Sequence, residues 1–319
     1  MEAKTKIPAA TPTEYKRRKP FREFLSRLFR EKPLGALGGI IVMVFLFIGI
    51  FADGLATHGM LQRNLKHRLE GPSVEFPLGT DQMGRDQYSR LVQGARISMV
   101  VGLASCAIAL VIATTFGLIS GYWGGKFDLI LQRFVDAWLS LPALFILLTV
   151  MALLGPGMIQ MISVLGAFWG IANIRTVRGV VLSAKENLYV EAARATGARA
   201  PRVLLRHILP QIVAPIITVF ILALGGIILD EATISFLGFG IPPPQPSWGG
   251  MLSLEGRKYM ESQPLLALFP GLCLAIVVYG INMFGDALRD LLDPRLRGSG
   301  RLGGAKIPLR RTLMLNPDK

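Results

Sequence analysis

One charge-free run constrains the fold of this chain more than any other feature. Between Asp136 and Arg175, 38 consecutive residues carry no charged side chain. A single bilayer crossing takes about 20 apolar residues, because an α-helix rises about 1.5 Å per residue and the hydrocarbon layer is about 30 Å thick. The run is therefore too long for one span. The turn signal Gly155-Pro156-Gly157 in its middle divides it into two.

Charge-free apolar segments also lie on both sides of this run, at 35–52, 97–125, 211–229 and 263–285. A Lys or Arg at the centre of a membrane helix costs about 2.5–3.5 kcal/mol, so a bilayer explains six such windows better than a soluble core does. The composition agrees, since 51% of the residues are hydrophobic and 18% are charged, against about 25% charged in soluble domains. The sequence predicts an all-α polytopic membrane protein with six transmembrane helices.

The distribution of Lys and Arg predicts the orientation. With a cytoplasmic N-terminus, 27 of the 35 basic residues lie on the cytoplasmic side and 8 on the outer side. Cytoplasmic loops carry the excess of basic residues, so we expect both termini in the cytoplasm. The same distribution argues against a nucleic-acid partner, because the basic clusters flank apolar spans and do not share one face of a soluble domain.

The predicted spans contain no ionisable side chain of the kind that secondary transporters and proton pumps place in the membrane. The three histidines lack metal-ligand spacing, and Cys106 and Cys273 lie in separate apolar runs. No phosphate-binding loop occurs either. We therefore expect a non-enzymatic chain with no cofactor or metal of its own. A secondary transporter or channel is the alternative class, and the bare spans argue against it.

The N-terminal segment contains the amphipathic stretch "FREFLSRLFREK". Helical spacing places its apolar residues on one face: Phe21, Phe24, Leu25, Leu28 and Phe29. Two interpretations stay open. The helix lies on the anionic inner leaflet, or it packs on the protein's own spans.

The segment 175–210, between the fourth and fifth spans, is predicted to be a cytoplasmic helix-turn-helix unit. A first helix covers 184–196, Gly197 ends it, and Pro201 opens a second helix that Pro210 ends. Small residues at Ala192 and Ala193 permit the close approach of a partner protein. The unit is therefore predicted to be a docking element.

This segment resembles the EAA loop of ABC importer permeases, a Glu-Ala-Ala triplet followed at fixed distances by Gly and by Leu-Pro. The matching residues are Glu191, Ala192, Ala193, Gly197, Leu209 and Pro210. One position departs from the pattern, since His207 stands where the family has Ile two residues before the Leu. The resemblance implies a type I permease fold in which this loop couples the chain to an ATPase subunit. Glu191 would then be an anchoring or orienting group, the alternative being a solvated helix charge.

The resemblance extends to 76–99, 231–252 and 285–298, which look like the dipeptide, oligopeptide and nickel permease subfamily, and within it the second-type subunit with an N-terminal extension. It implies a bacterial inner-membrane location and an assembly with a second permease, two ATP-binding subunits and an extracytoplasmic substrate-binding protein. The substrate is expected to be a di- or oligopeptide, with nickel or another small solute as the alternative within the family.

Two further expectations concern the outer side and the domain organisation. Glu231 either faces the outer mouth of the pathway, where it would attract a peptide amino terminus, or caps a helix. Pro242, Pro243, Pro244 and Pro246 stiffen an outer loop, where a binding protein would dock. We divide the chain into a basic N-terminal segment (1–34), a first span with its outer loop (35–94), a core of five spans with the coupling loop (95–285) and a cytoplasmic tail (286–319).

Overall fold

The computed structural model describes residues 20–292. Within them the regular structure is helical, apart from one isolated antiparallel bridge between Thr80 and Asp86. The helices, in chain order, are α1 (Pro20–Glu31), α2 (Pro33–Ile50), α3 (Ala52–Leu55), α4 (Gln87–Trp123), α5 (Gly125–Ser140), α6 (Ala143–Leu154), α7 (Met158–Lys185), α8 (Leu188–Ala195), α9 (Ala200–Arg202), α10 (Leu209–Phe236), α11 (Trp248–Met251), α12 (Arg257–Tyr259) and α13 (Leu265–Leu292).

Five helices of the described part are long and apolar enough to cross a membrane. They are α2, α4, α7, α13 and the continuous helix Ala200–Phe236, which joins α9 to α10 through a π-helical stretch, Val203–Ile208. The predicted span that starts at 137 begins in the last residues of α5 and continues as α6, and these two helices meet at an angle of 92°. The bend occurs at Leu141-Pro142, because proline disfavours the helical conformation of the residue before it. Leu141 has φ −89° and ψ 142°.

Close helix contacts at glycine hold the bundle together, and α4 and α7 form its most extensive pair. A Cβ on Gly117 or Gly121 of α4 would lie 2.7 or 2.8 Å from a side chain of α7. Conversely, a Cβ on Gly166 or Gly170 of α7 would lie 2.7 or 2.8 Å from a side chain of α4. Glycine pairs of this spacing let helix backbones approach closely. Here each of the two helices contributes such a pair, and each pair accommodates side chains of the other helix.

Helix α1 packs against the bundle at the predicted cytoplasmic end. Leu28 is buried with residues of α2 and α13, and Phe24 packs beside it. Leu25 and Phe29 on the same helix are 41% and 51% exposed. The helix thus lies on the protein's own spans, while part of its apolar face stays open to the surroundings.

The segments 51–86 and 237–264 fold together at the opposite, predicted outer end. Asp86 caps α4 by accepting hydrogen bonds from the backbone N–H groups of Tyr88 and Ser89. Gln263 donates a side-chain hydrogen bond of 2.9 Å to the Leu69 carbonyl, which ties the two segments to each other. On α3, hydrogen bonds from Gln93 and then Arg96 lower the pKa of the Asp53 carboxyl.

Candidate coupling site

Helix α8 lies across the end of the bundle, between the end of α7 and the start of α9. The turn before it is fixed by Asn187, whose amide donates hydrogen bonds to the Ser183 and Ala184 carbonyls at 3.3 and 3.0 Å. Val190 of α8 is fully buried in a core shared with Val203 and Ile208 of the following π-helical stretch. Helix α8 is therefore seated on the membrane helices and is not a free loop.

Gly197 ends α8 in the way that the sequence predicts. Its φ is +83°, a conformation that a residue with a Cβ adopts at a cost of about 1–2 kcal/mol. Its N–H donates to the Arg194 carbonyl at 2.9 Å, and the Ala198 N–H donates to the Ala193 carbonyl at 3.1 Å. These hydrogen bonds form the turn that connects α8 to α9.

The motif residues divide between two faces. Glu191, Ala192 and Gly197 are exposed, whereas Ala193 is buried against the bundle. Two large apolar side chains beside the motif are also exposed, Leu188 by 82% and Leu205 by 62%. The outward face thus combines an acid, small residues and apolar side chains, which is the mixture of a protein-docking surface.

The end of the motif differs from the prediction, because Pro210 does not end a helix. The helix runs on from Ala200 to Phe236. Within the π-helical stretch the Leu209 N–H reaches the Leu204 carbonyl, five residues back. The wider turn absorbs the missing N–H of proline, which would otherwise break an α-helix. The segment 175–210 is also more helical than predicted, since α7 continues to Lys185 and the first helix of the unit shrinks to α8.

Polar contacts tie the start of this unit to its neighbours. Lys185 donates a 2.8 Å hydrogen bond to the Tyr122 carbonyl at the end of α4. The Arg194 guanidinium lies 5.0 Å from the centre of the Tyr122 ring. Arg178 of α7 makes two hydrogen bonds of 2.6 Å to Asp128 of α5. The Arg194 contact thus links α8 to α4, whereas Lys185 and Arg178 tie α7 to α4 and to α5.

These anchoring contacts were not predicted from the sequence. The relevant signal was present, since α7 carries Arg178 just beyond the long charge-free run and Asp128 lies just before it. Such charges at the ends of spans are ordinary, however, and only the fold shows that these two meet.

Glu231 occupies a different position from either predicted one. Its side chain is fully buried and lies inside α10, not at a helix end. It accepts hydrogen bonds from Ser235 at 2.8 Å and from Ser98 of α4 at 3.2 Å. Ser98 also accepts a 3.4 Å hydrogen bond from the backbone N–H of Trp248 in α11. The carboxyl thus joins three helices near the outer end and does not face an open mouth.

Comparison with known families decides the class of protein. Residues 113–298 match the family described as "Binding-protein-dependent transport system inner membrane component". This chain belongs to that family. Membership makes it a membrane component of a transport system and not an enzyme, as the sequence predicts.

Individual relatives match this chain along most of its length. The dipeptide transport system permease protein DppC of Alkalihalophilus pseudofirmus is 39% identical, over 92% of this chain and 96% of the relative. The glutathione transport system permease protein GsiD of Pectobacterium atrosepticum is 38% identical, over 88% and 93%. The di/tripeptide transport system permease protein DppC of Pseudomonas aeruginosa is 36% identical, over 88% and 94%.

A solved structure of the MetNI methionine ABC transporter, in inward-facing conformations, shares the fold of this component. The TM-score is 0.51 at 19% identity, over 63% of this chain and 96% of that chain. The likeness shows the type I ABC importer permease fold that the sequence predicts.

Proposed function

We propose that this chain is a permease subunit of an ATP-driven peptide importer in the bacterial inner membrane. It pairs with a second permease, couples to two ATP-binding subunits through α8, and receives its substrate from an extracytoplasmic binding protein. Both termini lie in the cytoplasm. Family membership supports the transport role, and the excess of basic residues at the α8 end supports the orientation.

The geometry of α8 carries the coupling part of the proposal. A short helix is seated on the ends of the membrane helices, turned by a glycine at φ +83°, and exposed on the side that bears Glu191 and Ala192. Its Arg194 guanidinium lies over the Tyr122 ring at the end of α4, and a continuous helix of 37 residues starts shortly after it. Such an element can transmit the movement of a bound ATPase to the membrane helices.

The names of the relatives support peptides as the substrate class. Dipeptide, di/tripeptide and glutathione transport systems all contain permeases with 36–39% identity to this chain. The shared chemistry is a small peptide, and glutathione is itself a tripeptide. We therefore place small peptides before metal ions as the substrate.

The change Gly197→Val tests the coupling role. The valine is strained at positive φ by roughly 1–2 kcal/mol, and its side chain projects from the docking face toward the ATPase. Within the described chain nothing lies within 4 Å of that position, so the chain should still insert. We expect peptide uptake and co-purification of the ATPase subunits to be lost at normal membrane abundance.

Gly155→Val is the matched control. Gly155 also ends a helix at positive φ, +81°, with nothing within 4 Å of its Cβ position, but it lies at the other end of the bundle. The control also places a strained valine at positive φ, and it should retain ATPase binding. Uptake near the wild-type rate in Gly197→Val would show that α8 is not the coupling element.

A further inference from the structure

A cavity of about 870 Å³ lies at the predicted outer end, between the segment 51–86 and the proline-rich segment 237–251. Its volume is within the range of about 300–1,000 Å³ that is usual for small-molecule sites. It is far from α8, and neither the coupling role nor family membership assigns it a ligand.

The charge of the cavity wall has one sign. Four of its lining side chains are cationic: Arg63, Arg85, Arg90 and Lys258. Among the lining side chains that the structure describes, none is acidic. Like charges that converge on one space repel one another, so the arrangement favours a negative group as occupant.

Two buried arginines form the floor of the cavity, and an aspartate holds them in place. Arg85 and Arg90 are buried, and the Asp81 carboxylate contacts the Nε of each, at 2.5 and 3.4 Å. Asp81 also accepts hydrogen bonds from the backbone N–H groups of Met83 and Arg85. Asp81 offsets part of the positive charge, and it fixes the direction in which the two guanidinium groups point.

The remaining wall is apolar and stiff. Ile241, Met83 and Met251 contribute apolar surface, and Pro243 and Pro244 restrict the backbone of one side. Tyr259 also lines the cavity, with the Lys258 ammonium 5.6 Å from the centre of its ring. A ligand that suits both parts of this wall has a carboxylate at one end and a short, partly apolar body.

We propose that this cavity binds the carboxylate end of a small peptide on its way from the binding protein to the membrane pathway. The Arg63 guanidinium can match the planar carboxylate with two parallel hydrogen bonds, and the Lys258 ammonium adds a second positive charge. Arg85 and Arg90 are already engaged with Asp81 and form the positive floor. The proposal rests on the peptide-import function, and it adds a site in this chain that selects the free carboxyl terminus.

The test compares trialanine with its C-terminal amide. Each is titrated by saturation-transfer NMR onto the purified transporter complex without its binding protein. The wild-type complex should prefer the acid by about fivefold, since the amide loses the charge-assisted bonds. The double variant Arg63→Gln/Lys258→Gln should reduce that preference toward onefold. Both residues are exposed, so the buried floor stays intact.

The matched control is Lys66→Gln/Arg257→Gln, which removes two exposed basic residues from the same segments without touching the cavity wall. It should keep the wild-type preference. An unchanged acid-to-amide ratio in Arg63→Gln/Lys258→Gln would overturn the proposal.

Uptake separates this proposal from the peptide-import function. If the wild-type complex imports di- to tetrapeptides but its cavity variants keep the acid preference, only the cavity site is wrong. If no member of a di- to tetrapeptide panel is imported, the proposed function itself fails.

Discussion

Glu191 is the exposed acid of α8. The side chain lies on the outward face, beside the buried Val190 that seats the helix. If it anchors an ATPase subunit, Glu191→Ala removes one charge-assisted hydrogen bond, worth about 1.5–3 kcal/mol. We expect the affinity for the ATPase subunits to fall about tenfold or more, with a smaller loss of uptake than in Gly197→Val. ATPase co-purification at graded salt measures this effect.

Glu186→Ala is the control for that change. Glu186 is an exposed acid of the same unit, at the end of α7, but it lies outside the motif. A general electrostatic attraction would make the two variants equal, and equal losses would contradict a specific role for Glu191.

At the scale of single residues, the sequence predicted local backbone conformation well, and it predicted the burial of side chains less well. The positive φ of Gly197 follows from its place after a helix and is confirmed. The sequence could not predict that the helix continues through Pro210, because nothing in the residue itself indicates that a π-helical turn precedes it. The buried Glu231 carboxyl accepts a hydrogen bond from Ser98, 133 positions away. Such a tertiary contact is invisible in one sequence.

At the scale of helices, glycine placement decides which faces meet, and a pair of α7 glycines tests this. Gly170→Ala puts a Cβ 2.8 Å from Ile112 and 3.2 Å from the Ala109 Cα. Backbone must then shift, at a cost of about 1–3 kcal/mol. Gly179→Ala is made in the same helix at a position with nothing within 4 Å, and alanine is the better helix former. We expect a lower melting temperature in detergent for the first variant and an equal or higher one for the second.

Equal melting temperatures for the two variants would mean that α4 and α7 tolerate separation at this point. Glycines four residues apart are typical of helix-packing positions, but the spacing alone does not indicate which helix packs against them. The spacing of Gly166 and Gly170 defines a face of α7. That α4 packs against this face depends on how all the helices pack together, which the spacing does not show.

At the scale of the molecule, hydropathy predicted where the apolar segments lie, but it did not predict the bend in one of them. Five of the predicted spans are helices long enough to cross. The remaining one, predicted from 137 to the Gly155-Pro156-Gly157 turn, contains a bend of 92° after Ser140. Helix α6 alone has 12 residues. At about 1.5 Å per residue it covers only about 18 Å, less than the hydrocarbon thickness. A charge-free window measures apolarity, and it does not register that Pro142 interrupts the helix.

The bent pair makes the topology a sharp test. If α5 and α6 together cross the membrane, a reporter fused after Pro156 reads outside, one after Glu255 outside and one at the C-terminus inside. This outcome is expected because 27 of the 35 basic residues lie on one side in that arrangement. If the pair enters and leaves on the same face, the reporter after Pro156 reads inside. The next helix, α7, then starts on the wrong side, and α8 is carried outside, away from any ATPase. A cytoplasmic signal after Pro156 or Glu255 would therefore overturn both the six-span topology and the coupling role of α8.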